Sequence, residues 1–216
     1  MRVGNILNLK QQQNALVVDN PVMPKLPRQP GKPLERLSQL LNAELEAKAN
    51  AKLLQTQPLI GKQATKATVL ERMPTARIIH LATHGLLNEV QGAKSKLPLT
   101  PSGDDNGFLS AKEILNLQLQ AELVILSACN TGKGEITGDG IIGLSRSFIA
   151  AGAPSIIVSL WTVPDAPTAK LMTEFYQQLQ IQSDRSQVLR QAMLKIMKTH
   201  PEATDWAAFS LIGEAL

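Results

Sequence analysis

The segment Ala121–Gly132, AELVILSACNTG, decides the fold. Its unbroken apolar run, Leu123 to Leu126, is typical of a parallel strand that helices cover on both faces. The run ends in small and polar residues that include Cys129, the only cysteine of the chain. A glycine-rich connection and a helical repeat of apolar residues from Ile141 follow. Cys129 is therefore predicted at the carboxyl end of a strand, the edge where ligands collect in open α/β sheets.

A second segment, ARIIHLATH at 76–84, has the same layout and ends at His84, followed by Gly85. Neighbouring strands lie about 4.8 Å apart, so side chains at their matching ends can meet. An imidazole beside a thiol lowers its pKa or takes its proton, which makes a nucleophile. The backbone N–H groups of Gly85 and Cys129 are candidate donors to an oxyanion. His80, inside the strand and without a following glycine, is predicted to be structural.

These two segments resemble the CHAT domain family of the caspase-like and separase-like cysteine peptidase clan, clan CD. The residues that carry the resemblance are LATHG at 81–85, LSACNTG at 126–132, GDGIIGL at 138–144, SLWTVPD at 159–165 and DWAAF at 205–209. The caspase signature places its histidine about 50 residues before its cysteine. Here the separation is 129 − 84 = 45 residues.

The resemblance implies an α/β, caspase-like three-layer fold, with a mostly parallel central sheet flanked by helices. It also implies a cysteine endopeptidase that cleaves proteins or peptides through a thioester acyl-enzyme. In this scheme Cys129 is the nucleophile, and His84 is first the general base and then the general acid. No cofactor or metal is expected. The alternative is a catalytically silent CHAT-like module that acts in protein binding or assembly.

The domain organisation predicted is a polar lead-in at 1–14 and a single domain at 15–216. Complete CHAT domains usually carry a further strand and helix before the part that matches here, so this domain is expected either to be shortened at its N-terminus or to be cut from a longer protein. A shortened sheet would expose an edge strand, which a second copy or another chain could complete.

Composition excludes several other classes of protein. The single cysteine rules out an intramolecular disulfide or a cysteine zinc cluster, and it fits a reducing, cytoplasmic compartment. The start of the chain lacks the apolar region of a signal peptide, and no apolar run approaches the roughly 18 residues of a membrane span. The net charge of +4 comes from scattered basic residues, with only 3% aromatics, so nucleic-acid binding is not expected.

Two loops supply candidate residues for a substrate pocket. The loop after Cys129 carries Glu135 and Asp139, and the segment after the strand at Ser155 carries Trp161 and Asp165. Acidic groups in such a pocket favour Lys or Arg before the cleaved bond. Each aspartate has an alternative interpretation as the cap of the helix that follows it.

Other patterns are assigned to the scaffold. Residues 138–143 spell GxGxxG, but eight residues separate them from the strand end, which argues against a dinucleotide site. Prolines at every third position from Pro21 to Pro33 predict an extended surface connection, with a polyproline II docking ligand as the alternative. A helix is predicted over Leu34 to Leu54. The segment Leu86 to Leu109 is predicted to be a long loop that borders the cleft or is a plain surface excursion.

Overall fold

The computed structural model describes residues 14–27, 33–40, 43–86, 94–127, 139–161 and 163–216, with the backbone alone for 27, 43, 45 and 139–142. The strands among them are β1 (Ala15–Pro21), β2 (Lys25–Pro27), β3 (Leu34–Arg36), β4 (Leu59–Gly61), β5 (Ile78–Ala82), β6 (Lys96–Pro98), β7 (Phe108–Ser110), β8 (Leu123–Leu126), β9 (Ser155–Ser159) and β10 (Phe209–Gly213). The α-helices are α1 (Ala43–Leu53), α2 (Lys66–Arg72), α3 (Ala111–Leu115), α4 (Asp139–Ala150), α5 (Asp165–Leu179) and α6 (Arg185–Met197).

The main sheet has six strands in the order β4-β1-β5-β8-β9-β10. All neighbours are parallel except β9 and β10, which pair antiparallel. The other strands form two small antiparallel pairs, β2 with β3 and β6 with β7. The mostly parallel α/β sheet expected from the sequence is confirmed.

Alternate residues of the central strands face two separate cores, because successive side chains of a strand point to opposite faces. On one face Ile79 of β5 and Val124 of β8 pack with residues of α2, α3 and α4, such as Phe148. On the other face Ile78 and Ile125 pack with residues of α1, α5 and α6. These three layers are the flanked sheet that the sequence predicted.

The strand order reverses between β1 and β5. From β1 the chain passes through α1 to β4 on one side, and then returns to β5 on the other side of β1. The carboxyl ends of β1 and β5 therefore border the crevice in which open α/β sheets bind ligands. Asp19 lies near the end of β1 and His84 follows β5, so both belong to this crevice.

The proline-rich segment differs from the extended surface connection predicted for it. Lys25–Pro27 within it pairs as β2 with β3, which begins just after Pro33, and Leu26 lies opposite Glu35. Met23 is only 1% exposed. The helix predicted from Leu34 starts only at residue 43. Leu34–Arg36 form β3 instead, and Leu34 is 61% exposed, so no buried helical face begins there.

The long loop predicted after Leu86 is also partly ordered as strand. β6 and β7 pair within it and bury Leu97 and Leu109 in the first core. It is therefore more than a surface excursion. Among the helices described here, none is long and apolar enough to cross a membrane.

Candidate active site

Three neighbouring strands end in buried polar residues at one edge of the sheet. Asp19 of β1 pairs with Ala82 of β5, two residues before His84, and Leu81 pairs with Leu126, the last residue of β8. Ser127 follows β8 and donates its backbone N–H to the Leu81 carbonyl. Parallel strands thus bring Asp19, His84 and Ser127 to the same edge.

His84 is held by one hydrogen bond and otherwise buried. Its exposed fraction is 2%, and its Nε2 lies 2.7 Å from the backbone carbonyl oxygen of Ser38. The Ser38 hydroxyl is farther from Nε2, at 3.5 Å. Because a carbonyl oxygen only accepts, Nε2 must carry the proton and Nδ1 must hold the lone pair in the neutral ring. Nδ1 has no hydrogen-bond partner among the described residues.

The surroundings of His84 favour the neutral imidazole. Burial lowers its pKa from 6.5, while the Ser38 carbonyl and the negative charge of Asp165 partly offset that shift by raising the pKa. A buried imidazole that is neutral near pH 7 and has a free Nδ1 is able to accept a proton.

Asp19 is the residue at this edge that the sequence analysis missed. It is fully buried, and neither carboxylate oxygen has a hydrogen-bond partner in the described part of the chain. Burial is the largest cause that raises its pKa, to about 10, followed by the negative charges of Glu46 and Asp165. Without a cationic partner the Asp19 carboxyl is therefore protonated at neutral pH. Ser127, 5% exposed, likewise has no described partner for its buried Oγ.

His80 lies apart from this edge in a buried polar cluster. Its Nδ1 is 3.0 Å from the Tyr176 hydroxyl, and its Nε2 is 3.1 Å from Glu46 Oε1. The Glu46 oxygen is close to Nε2, but the two atoms do not have the geometry of a hydrogen bond, so Nε2 has no hydrogen-bond partner among the described residues. Asn50 adds a 3.4 Å bond to the same Glu46 oxygen. These contacts support the structural role predicted for His80.

Asp165 begins α5, and its charge reaches the site, whereas Trp161 follows β9 and contacts other residues. Asp165 is the first residue of α5 and the helix cap is Pro164, so the capping interpretation of Asp165 is wrong. The charge of Asp165 acts on both His84 and Asp19. Trp161 packs against the second core and donates Nε1 to the Thr204 carbonyl at 3.4 Å.

The remaining predicted site residues fall where the structure gives no side chains. Cys129 and Glu135 lie outside the described residues, and Asp139 is described by its backbone alone, as the first residue of α4. Gly85 is buried directly after His84. The dyad, the oxyanion donors and the contributions of Glu135 and Asp139 therefore stay predictions. Among the residues described, no group of three His, Cys, Asp or Glu could hold a metal.

Comparison with known proteins identifies the family. A model of the CHAT domain matches residues 5–214. The chain belongs to the CHAT domain family. This CHAT domain is 32% identical over 212 residues to human tetratricopeptide repeat protein 28 and 31% identical to the mouse protein. Each alignment covers 80% of this chain but only 8% of the relative.

The CHAT domain also resembles solved cysteine proteinases in its fold. The crystal structure of the Arg-specific cysteine proteinase gingipain R superposes with a TM-score of 0.61, over 94% of this chain and 47% of that one. The complex of the pro- and mature domains of RgpB from Porphyromonas gingivalis gives the same values. Sequence identity is 13% in both, so the likeness concerns the fold alone. It confirms the caspase-like architecture.

Proposed function

We propose that this CHAT domain is a cysteine endopeptidase in which His84 and Cys129 form a catalytic dyad. The observation that carries the proposal is the state of His84. Its Nε2 is engaged by the Ser38 carbonyl, while its Nδ1 is buried, free of described partners and able to accept a proton. β8 is the strand next to β5 in the sheet. Ser127 follows β8 directly, and Cys129 comes two residues later in the sequence.

In the reaction, Nδ1 of His84 takes the proton of the Cys129 thiol, and the thiolate attacks the carbonyl carbon of the substrate peptide bond. The backbone N–H groups of Gly85 and Cys129 donate to the oxyanion that forms. His84 then gives its proton to the leaving amine as the C–N bond breaks, and a thioester remains. A water molecule, deprotonated by His84, hydrolyses the thioester and regenerates the thiol.

The acidic groups around His84 favour a basic residue before the cleaved bond. Asp165 was a candidate from the sequence, and Asp19 adds a buried carboxyl with both oxygens free of described partners. Burial, and then repulsion from Glu46 and Asp165, raises the pKa of Asp19, so a cationic side chain beside it would restore its ionised form and gain a charge-assisted bond. This pocket extends the one predicted from Glu135, Asp139, Trp161 and Asp165.

The direct test is covalent labelling by acyloxymethyl ketone peptides with varied residues at the position before the reactive group. Probes ending in Lys or Arg should label wild-type protein at Cys129, as mapped by mass spectrometry. Cys129→Ala should abolish labelling, and His84→Gln should slow it by about 100-fold or more. His200→Gln, a surface histidine, is the matched control and should label normally. Absence of labelling by every probe would count against the peptidase proposal.

The second candidate is a catalytically silent module for protein binding. The observation that favours it is that the curated relatives are named for tetratricopeptide repeats, with no enzymatic activity in those names. Completion of the sheet by a second copy or a partner chain remains part of this proposal. Its edge strand β4 offers only three residues, and short edge strands disfavour such pairing. Unchanged mass in solution over a wide concentration range would argue against self-association.

The single cysteine supports a reducing compartment such as the cytoplasm for this enzyme. A thiol nucleophile must stay reduced to attack a peptide bond. No cofactor, metal or nucleic acid takes part in the proposed reaction.

A further inference from the structure

The carbonyl that holds His84 belongs to a segment we call the strap, defined as residues 22–27 and 33–40. In the sequence the strap lies between β1 and α1. Its beginning is fixed where Val22 donates its N–H to Thr100 Oγ1 at 2.9 Å. Its far end carries Ser38, whose carbonyl accepts from His84.

Two described hydrogen bonds bracket Ser38. On one side the Leu37 N–H donates to the Pro24 carbonyl within the strap, at a long 3.4 Å. On the other side the Leu40 N–H donates to Oδ1 of Asn20 at 3.0 Å. The bond to Asn20 is the shorter one. Because Asn20 belongs to β1, this bond connects the Ser38 end of the strap to the central sheet, whereas the Leu37 bond stays within the strap.

Asn20 is built for this contact. It is 8% exposed, and its φ of 38° lies in the left-handed region, which asparagine tolerates better than most residues. Asn20 directly follows Asp19 and is the second-last residue of β1. Asn20 is thus buried, has an unusual backbone conformation and accepts a hydrogen bond from the N–H of Leu40, a residue far along the chain. These features together indicate a fixed local arrangement.

We propose that Asn20 is a positioning residue for His84, which it serves by fixing the strap so that the Ser38 carbonyl meets Nε2. The inference rests on the proposed function for its effect on catalysis, but the hydrogen-bond geometry stands apart from it. Loss of the Asn20 acceptor frees Leu40, and the Ser38 carbonyl two residues earlier then loses its set position. His84 would sample both tautomers, and Nδ1 would hold the lone pair only part of the time.

The test uses ¹⁵N NMR of the three histidine rings, which reports tautomer and titration whether or not the protein cleaves peptides. His84 is assigned by the signals that disappear in His84→Gln. In wild type, the Nε2-protonated form should dominate. In Asn20→Gly, which keeps the left-handed backbone accessible, the His84 tautomers should mix and its pKa should fall, because the Ser38 hydrogen bond raises that pKa.

Two variants separate the side-chain acceptor from other effects. Asn20→Asp retains an oxygen for the Leu40 N–H and should keep the wild-type tautomer. Its added charge acts in the same direction as that of Asp165, which already raises the pKa of His84, and should raise that pKa further. Ser38→Ala should leave the tautomer unchanged, because the backbone carbonyl at 2.7 Å and not the hydroxyl at 3.5 Å holds the ring. Unchanged signals of buried His80 show that each variant is folded.

Several outcomes would overturn the inference. An Asn20→Gly protein whose His84 keeps the pure Nε2 tautomer and its wild-type titration would refute the role of Asn20. Equal loss of the tautomer in Asn20→Asp and Asn20→Gly would show that the Oδ1 acceptor is not what matters. If the protein is active, Asn20→Gly should lower kcat by about 10- to 100-fold with little change in KM. Failure of the peptidase proposal would appear as absent labelling with the tautomer result intact.

Discussion

Replacing Asp19 by Asn should stabilise the protein, increasingly so as the pH rises. The pKa of Asp19 is about 10 in the native state and 3.8 in its ordinary environment. Between those values the native state holds a proton that the unfolded state has released. The stability of the native state with protonated Asp19 is therefore fully present below about pH 3.8, where the unfolded chain is protonated too. It is progressively lost as the pH rises towards 10, because folding must then take up a proton.

The size of the effect follows from proton linkage. At pH 7, about 3 units above the ordinary pKa, folding must reprotonate the carboxyl at a cost of about 4 kcal/mol, at about 1.4 kcal/mol per unit. An asparagine side chain needs no proton, but its buried NH₂ group without a partner costs about 1–3 kcal/mol at any pH. The net gain for Asp19→Asn should therefore be about 1–3 kcal/mol at pH 7.

Urea unfolding of wild type and Asp19→Asn at pH 6, 7 and 8 measures the difference directly. The free energy of unfolding of the variant, relative to wild type, should rise by about 1.4 kcal/mol per pH unit. The matched control is Asp104→Asn, which removes the same charge from an exposed loop and should show no such slope. A difference that stays constant from pH 6 to 8 would mean that Asp19 is ionised in the native state, and the argument from burial would fail.

Two further perturbations test the electrostatics and the backbone. Asp165→Asn removes a charge that raises the pKa of His84, so NMR titration should find that pKa lower than in wild type; an unchanged or higher value would contradict the contact. Gly107→Ala should destabilise the protein to urea by about 1–3 kcal/mol, because φ is +80° and the new Cβ would lie 2.4 Å from the Leu99 carbonyl oxygen. Gly103→Ala, with φ of +57° and nothing within 4 Å, should cost clearly less, and equal losses would exclude the clash as the cause.

The sequence predicted the central strands well because they consist almost entirely of apolar residues, as strands buried on both faces do. Ile78–Ala82 and Leu123–Leu126 are short apolar runs bounded by polar residues, which suits strands covered on both faces. His84, two residues beyond the first run, was found because that segment stops at His84-Gly85 and so ends in a reactive side chain. By contrast, the helical pattern predicted a helix from Leu34 where β3 forms, since periodicity alone does not reveal that Leu34–Arg36 pair with Lys25–Pro27.

Two parts of the candidate site left no usable signal in the sequence. Asp19 precedes Asn20 and Pro21, and such residues normally mark an exposed turn. Only the strand order, with β1 beside β5, shows that this turn lies at the reversal point of the sheet and is buried. The group that holds His84 is a backbone carbonyl, which every residue possesses, so no residue type at position 38 could have predicted it.

That carbonyl has an evolutionary consequence. Since the atom that orients the imidazole belongs to the main chain, position 38 can accept many different side chains without loss of the contact. Selection would act instead on the path of the strap, through its length and the residues that anchor it. Comparing relatives by residue identity at position 38 would then underestimate how many of them keep an oriented histidine, whereas an Asn or Asp near the end of the first strand would be the more informative feature.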